Sequence, residues 1–143
     1  MNKRTFKSYV NKAITQRPIL ENCFKYGDKF LISDTYSIVI LNKNYDLGVK
    51  EDTLGLSGFL LKWSTMFEDL KEIQAPIDKD KQEPIDNDFC INNKLFLRIK
   101  RLISANKFTI LENKDKNEFM RYLIKLENTK TKEKAYLLPS KMY

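Results

Sequence analysis

The sequence predicts an α+β domain in which a helix followed by three strands occurs twice. Three observations predict it. Two acid-free basic segments, residues 2–15 and 92–107, place apolar residues at helical spacing. Each segment is followed by three short β-like runs with polar or glycine-containing turns between them. The two halves share little residue identity, so what repeats is architecture.

The first half spans residues 1–50. Phe6, Tyr9, Val10, Ala13 and Ile14 share one side of the opening helix. Arg4, Ser8, Asn11 and Lys12 fall opposite, with Lys3 and Lys7 at the edge. Pro18 limits this helix, because a residue before proline avoids the α region. The three runs after it are "ILENCFKY", "KFLIS" and "YSIVILN". "YGDK" reads as a hairpin turn and "SDT" as a bend, where Asp34 can bond the local backbone.

Residues 51–87 read as an insertion in two parts. "SGFLLKWSTMFEDLKEI" predicts a helix over 57–73, with Phe59, Leu60, Trp63, Met66, Phe67 and Leu70 on one face. Such a stripe is core more often than a partner face, and Trp63 and Phe67 are read as core first. "QAPIDKDKQEPIDND" carries two prolines and five acids against two lysines, and predicts an extended, mobile connector.

The second half spans residues 88–143. "DFCI" predicts a strand, and Asn92 or Asn93 can cap the helix that follows. Leu95, Phe96, Ile99, Leu102 and Ile103 form its apolar face. Lys94, Arg98 and Arg101, at i, i+4 and i+7, form a basic stripe away from that face. "KFTILE", "FMRYLIKLE" and "KAYLLP" are the strands, with "NKDKN" and "NTKTK" between them. "KAYLL" completes the last sheet, and Pro139 stands where that strand ends.

Composition bounds the function. The chain has 143 residues, 42% hydrophobic and 31% charged, the balance of one globular domain. No apolar run approaches the roughly 20 residues of a membrane span, and no apolar stretch of a leader peptide follows the basic start. A cytoplasmic protein is expected. Cys23 and Cys90 lie in apolar stretches and read as buried free thiols. The two basic segments carry +9 of a net +7, so the rest of the chain is net −2. Basicity confined to two helices is the distribution of a polyanion-binding face.

The chain has no histidine, which excludes Ser-His-Asp and Cys-His catalysis and most zinc sites. It contains no phosphate-cradling glycine loop. Most carboxylates sit beside lysines in polar turns. The residues offer no enzyme site and no cofactor or metal site.

A basic helix followed by three strands, repeated within one domain, resembles the domain of the DNA sliding clamps. "RPILENCFKYGDKFLISDTYSIVI" looks like the first half of the N-terminal domain of the bacterial clamp, the polymerase III β subunit. Pro18-Ile19-Leu20, Gly27 and Asp34 are the matching features. "FCINNKLFLRIKRLI" resembles the strand–Asn–helix element that opens the second half of a clamp domain. "YLLPSKMY" resembles the clamp's C-terminal strand and ending. These stretches fall within residues 2–45 and 88–143. The chain departs from the family in four ways. It carries one such unit rather than two or three, the strand expected before the first helix is missing or very short, it has a large insertion, and Ser140 stands where the family has a second methionine.

The resemblance implies a clamp-like domain of residues 1–143, with two helices on one face, antiparallel sheets on the other and an extra inserted helix. It implies non-specific contact with duplex DNA through Arg4, Lys7, Lys12, Lys94, Arg98 and Arg101. It also implies a groove for partner peptides of replication or repair proteins, walled by Leu138, Pro139, Ser140, Lys141 and Met142. The family's ring uses six domains, so one-domain chains would act as a homo-oligomer. The Lys/Asn/Ile-rich composition points to a phage or mobile element. A monomeric clamp mimic that binds host replication or defence proteins is the alternative. A generic basic DNA-binding regulator ranks below both, and an enzyme last.

Overall fold

The computed structural model describes residues 23–142, apart from 46 and 54. The expected helix over 2–15 lies outside the described residues, and Arg4, Lys7 and Lys12 lie there with it.

Strands β1 (Cys23–Tyr26) and β2 (Lys29–Ser33) form the expected hairpin. Gly27 takes φ 60° at the first turn position, where a two-residue turn needs a left-handed residue. β2 bends at Asp34 into β3 (Ser37–Leu41). A short β4 (Val49–Lys50) returns parallel to β1. Helix α1 (Leu56–Met66) follows, then β5 (Phe67–Ile73). β6 (Gln82–Pro84), β7 (Phe89–Asn92) and α2 (Asn93–Ile103) lead to β8 (Lys107–Asn113) and β9 (Tyr122–Glu127). β10 (Lys134–Leu137) and β11 (Ser140–Lys141) complete the order.

The main sheet has eight strands in the order β4-β1-β2-β3-β10-β9-β8-β5. Its middle six are mirrored. Three consecutive strands of the first half meet three of the second, with β3 paired antiparallel to β10. The repeated three-strand pattern of the sequence is thus one continuous sheet. β10 lies at its centre, bonded to β3 and β9, rather than at an edge.

Both faces of the central strands are covered, so β2, β3, β8 and β9 read as largely apolar runs. Side chains alternate between the faces. Ile32, Val39, Leu41, Ile124, Leu126, Ala135 and Leu137 face α2, together with Phe96, Ile99, Leu102 and Ile103 of that helix. Each of these side chains except Ala135 contributes roughly 1.5–3 kcal/mol on burial. Phe24, Leu31, Ile38, Leu111 and Leu123 point the other way, against Leu56, Leu60 and Trp63 of α1. The inserted helix therefore lies on the sheet face opposite α2.

Two expectations for the insertion are corrected. The helix ends at Met66, and 67–73 is an edge strand paired with β8. Phe67 and Leu70 stand three apart in sequence, as on a helix face, but in the strand Leu70 falls at a bulge between the paired positions Asp69 and Lys71. Leu70 is 45% exposed rather than on an apolar face. Phe67 and Trp63 are buried core, as the first reading had them.

The connector is anchored. Gln82–Pro84 pairs antiparallel with β7 in a small sheet ordered β11-β7-β6. Pro84 is tolerated there because β6 is an edge strand. Pro76 is buried, and Asp78 O accepts from Asn93 Nδ2 at 2.9 Å. Asp86 Oδ1 accepts from Asp88 N (2.7 Å) and Phe89 N (2.9 Å), and Arg121 Nη1 stands 3.8 Å from Asp86 Oδ2. Burial raises the Asp86 pKa, but these partners together with the Tyr122 hydroxyl hold it below the usual carboxylate value.

Candidate functional site

Helix α2 is built as its sequence dictates. Asn92 caps it in extended geometry, its Oδ1 accepting from Leu95 N at 3.1 Å. Ser104 ends it in a left-handed conformation, and Ala105 N donates to Lys100 O at 2.9 Å. Lys100 and Arg101 fall in the last turn, where cations complement the helix dipole. Phe96, Ile99, Leu102 and Ile103 are buried, and Leu95 is half-buried against them.

On the outer side Lys94 and Arg101 are exposed, and Lys100 and Leu97 are half-buried. Arg98 departs from the expected stripe. Its Nη2 donates to Asp34 Oδ2 at 3.0 Å, with the Asp34 side chain 4% exposed. The other oxygen of Asp34 accepts from Tyr36 N (3.0 Å) and Ser37 Oγ (2.8 Å). Asp34 is thus the turn residue the sequence suggested, and also the buried counter-ion of Arg98. The periodicity places Arg98 on the polar side but cannot show a partner 64 residues away.

The five tail residues do not form one wall. Leu138 alone among them lines a largely apolar cavity of about 240 Å³, with Tyr36, Ile38, Leu56, Phe59, Trp63 and Met120. Trp63 supports it by packing on Tyr136 at 5.9 Å between ring centroids and on Phe59 at 6.1 Å. Tyr36 and Phe59 are about half exposed, at 52% and 49%. Pro139 is half-buried and ends the run. Ser140 and Lys141 pair with Cys90 and Phe89 as β11. Met142 N donates to Asp88 O at 2.8 Å, and Lys141 Nζ lies 4.8 Å from the Phe119 ring centroid. Ser140, Lys141 and Met142 therefore close the small sheet rather than the cavity.

The sequence reading missed Tyr36, Phe59 and Met120 as cavity residues. A polar tyrosine after a bend and a phenylalanine in a helical stripe give no local signal of a shared opening.

Asp52 fixes α1 beneath this cavity. Its Oδ1 accepts from Leu56 N (2.9 Å), and its Oδ2 accepts from Ser57 N (2.8 Å) and Ser57 Oγ (2.6 Å). Burial raises its pKa, but these hydrogen bonds outweigh burial and hold the carboxyl below its usual value.

Comparison with protein-family models, curated proteins and solved structures finds no match.

Proposed function

We propose that the chain is a non-enzymatic, clamp-like DNA-binding protein of a phage or mobile element. On this reading it holds duplex DNA through phosphate contacts, without base readout, and acts as a homo-oligomer. The observation that carries the reading is the mirrored strand order, β1-β2-β3 against β10-β9-β8, with α2 packed across one face. This order supports the duplicated domain that the sequence resemblance implies. Lys94 and Arg101, exposed on α2, are the cations offered to phosphate. The sheet edges β4 and β5 are the places where copies of the chain can meet. The cavity beside Leu138 is the place for an apolar peptide of a replication or repair protein.

Titration of a labelled random-sequence duplex, with sedimentation of the protein alone, tests the reading. Wild type should bind at low salt and sediment as an assembly. Lys94→Glu with Arg101→Glu should weaken binding equally across sequences and lower the salt slope by about 0.9 per lost phosphate contact. Failure of wild type to bind duplex DNA at low salt overturns it. A second reading, the monomeric mimic of a clamp, has Arg98 on its side, because its ion pair with Asp34 takes one cation out of the stripe. A monomer without DNA affinity that still captures host replication proteins would establish that reading instead.

A further inference from the structure

The turn between β9 and β10 lies outside α2, yet it is stitched to that helix's end. Asn128 Nδ2 donates to Ile103 O at 3.0 Å, at the last residue of α2. Asn106 Nδ2 donates to Thr129 Oγ1 (2.9 Å), and Thr129 N donates back to Asn106 Oδ1 (3.0 Å). On the other side Asn42 Nδ2 donates to Thr131 O at 2.8 Å. Within the turn, Asn128 Oδ1 accepts from Lys130 N (2.9 Å) and Thr131 N (3.0 Å), and Lys132 N donates to Asn128 O (2.8 Å). Asn128 thus fixes the turn's shape, and its neighbours fasten it between α2 and β3.

A turn held this way presents its side chains from a fixed platform. Those side chains are cations. Lys130 and Lys132 are exposed, and Lys43 and Lys107 are exposed at the same end of the sheet. Among the described residues, the acids nearby are withdrawn. Glu133 is buried and accepts from Asn42 N (3.0 Å) and Tyr45 Oη (3.2 Å). Glu127 Oε1 lies 3.7 Å from Lys134 Nζ. Asp28 sits farther off, at the β1–β2 turn beyond β3. Lys100, Arg101 and Ser104 line an open cleft of about 430 Å³ beside the turn's attachment to α2. The positive surface therefore continues past the helix. It runs about 10 Å along α2 from Lys94 to Arg101, and then onto Lys130 and Lys132.

We propose that the β9–β10 turn is a second phosphate-contacting element, which grips the backbone of duplex DNA beside α2 through Lys130 and Lys132. Duplex DNA presents about one negative charge per 1.7 Å of axis, so a line of cations of this length finds phosphates throughout. Lysine ammoniums on flexible stems suit phosphate contact without base readout. The proposal rests on the DNA-binding reading above.

The test replaces both lysines while keeping the turn. Lys130→Ser removes one charge. Lys132 has φ 70°, so Lys132→Asn removes the other with a residue that tolerates the left-handed region. Lys62→Ser with Lys114→Ser is the matched control. Lys62 lies on α1 across the sheet, and Lys114 at the opposite end of β8. Affinity for a labelled random-sequence duplex is measured against potassium chloride, with the thermal midpoint of each protein alongside. The turn variant should show a salt slope shallower by about 1.8 and roughly tenfold or greater loss of affinity at 0.1 M salt. The control should stay near wild type. If wild type binds and the turn variant binds equally well, the turn contributes nothing and this proposal alone falls. Equal loss in both variants would also overturn it, because net charge would then explain the effect. No binding by wild type would overturn the DNA-binding reading itself. If the double variant melts early, Lys130→Ser alone decides, with an expected slope change of about 0.9.

Discussion

The guanidinium of Arg98 donates to Asp34 Oδ2 at 3.0 Å and fastens α2 to the β2–β3 bend across 64 residues of chain. The bend belongs to the first half of the mirrored sheet and α2 to the second, so this pair ties the halves together outside the β3–β10 ladder, as the bonds from Asn42 and Tyr45 to Thr131 and Glu133 also do. Asp34 is enclosed, whereas the Arg98 side chain keeps 22% of its surface in water. Loss of the acid and loss of the base are therefore unequal events.

Asp34→Ala should cost about 2–3 kcal/mol. It removes the carboxylate that Arg98 Nη2, Tyr36 N and Ser37 Oγ all donate to. Arg98→Ala should cost less, because the remaining carboxylate keeps those two local donors. Urea unfolding of both variants and of the double variant gives the coupling between them. Additive costs would mean that the pair is incidental and that α2 is held by its apolar face alone.

That pair marks the limit of what the sequence could disclose. Asn92, the apolar positions 96, 99, 102 and 103, and the strand runs from Cys23 to Leu41 are local patterns, and all fold as local patterns do. β5 was hidden because Phe67 and Leu70 continue the i, i+3, i+4, i+7 spacing begun by Trp63 and Met66. β6 was hidden by acids and prolines that suit an edge strand as well as a linker. The cavity beside Leu138 draws on the β2–β3 bend, α1, Met120 and the tail, which only the sheet topology brings together. Arg98 looked like surface charge because its counter-ion lies in the other half of the chain.

Tyr45 and Glu133 give a prediction for alkaline pH. Burial raises the Tyr45 pKa, and the charge and hydrogen bond of Glu133 raise it further, to about 12. A phenol whose folded pKa lies above its unfolded value stabilises the fold fully below the unfolded value, near 10. That contribution declines as pH rises from about 10 through 12. Tyr45→Phe removes the titration, so its stability should fall less steeply than wild type across this window. Thermal midpoints of the two proteins at pH 8, 10 and 11 measure it, using wild type to account for the other tyrosines and the lysines. Parallel curves would show that Tyr45 and Glu133 do not couple in solution.

The tail separates two structural roles within a few residues. β10 is bonded on both sides, to β3 and β9, so truncation before Ala135 removes a central strand of the eight-stranded sheet. It should leave an unfolded or insoluble chain, with two apolar strand edges exposed. Truncation after Pro139 is a smaller loss. It removes the β11 pairing with Cys90 and Phe89 and the bond from Met142 N to Asp88 O, but leaves Leu138 and the cavity in place. A cost of about 1–2 kcal/mol is expected, since a few backbone bonds of a short edge strand are lost and the main sheet keeps its strands. Leu138→Glu should do the reverse, lowering stability little while placing a charge at the cavity. On the proposed peptide-binding reading, capture of replication proteins should therefore survive truncation after Pro139 and fail in Leu138→Glu. Urea midpoints and a pull-down on the same three proteins report both effects. Loss of capture by the truncation alone would return the binding groove to Ser140, Lys141 and Met142.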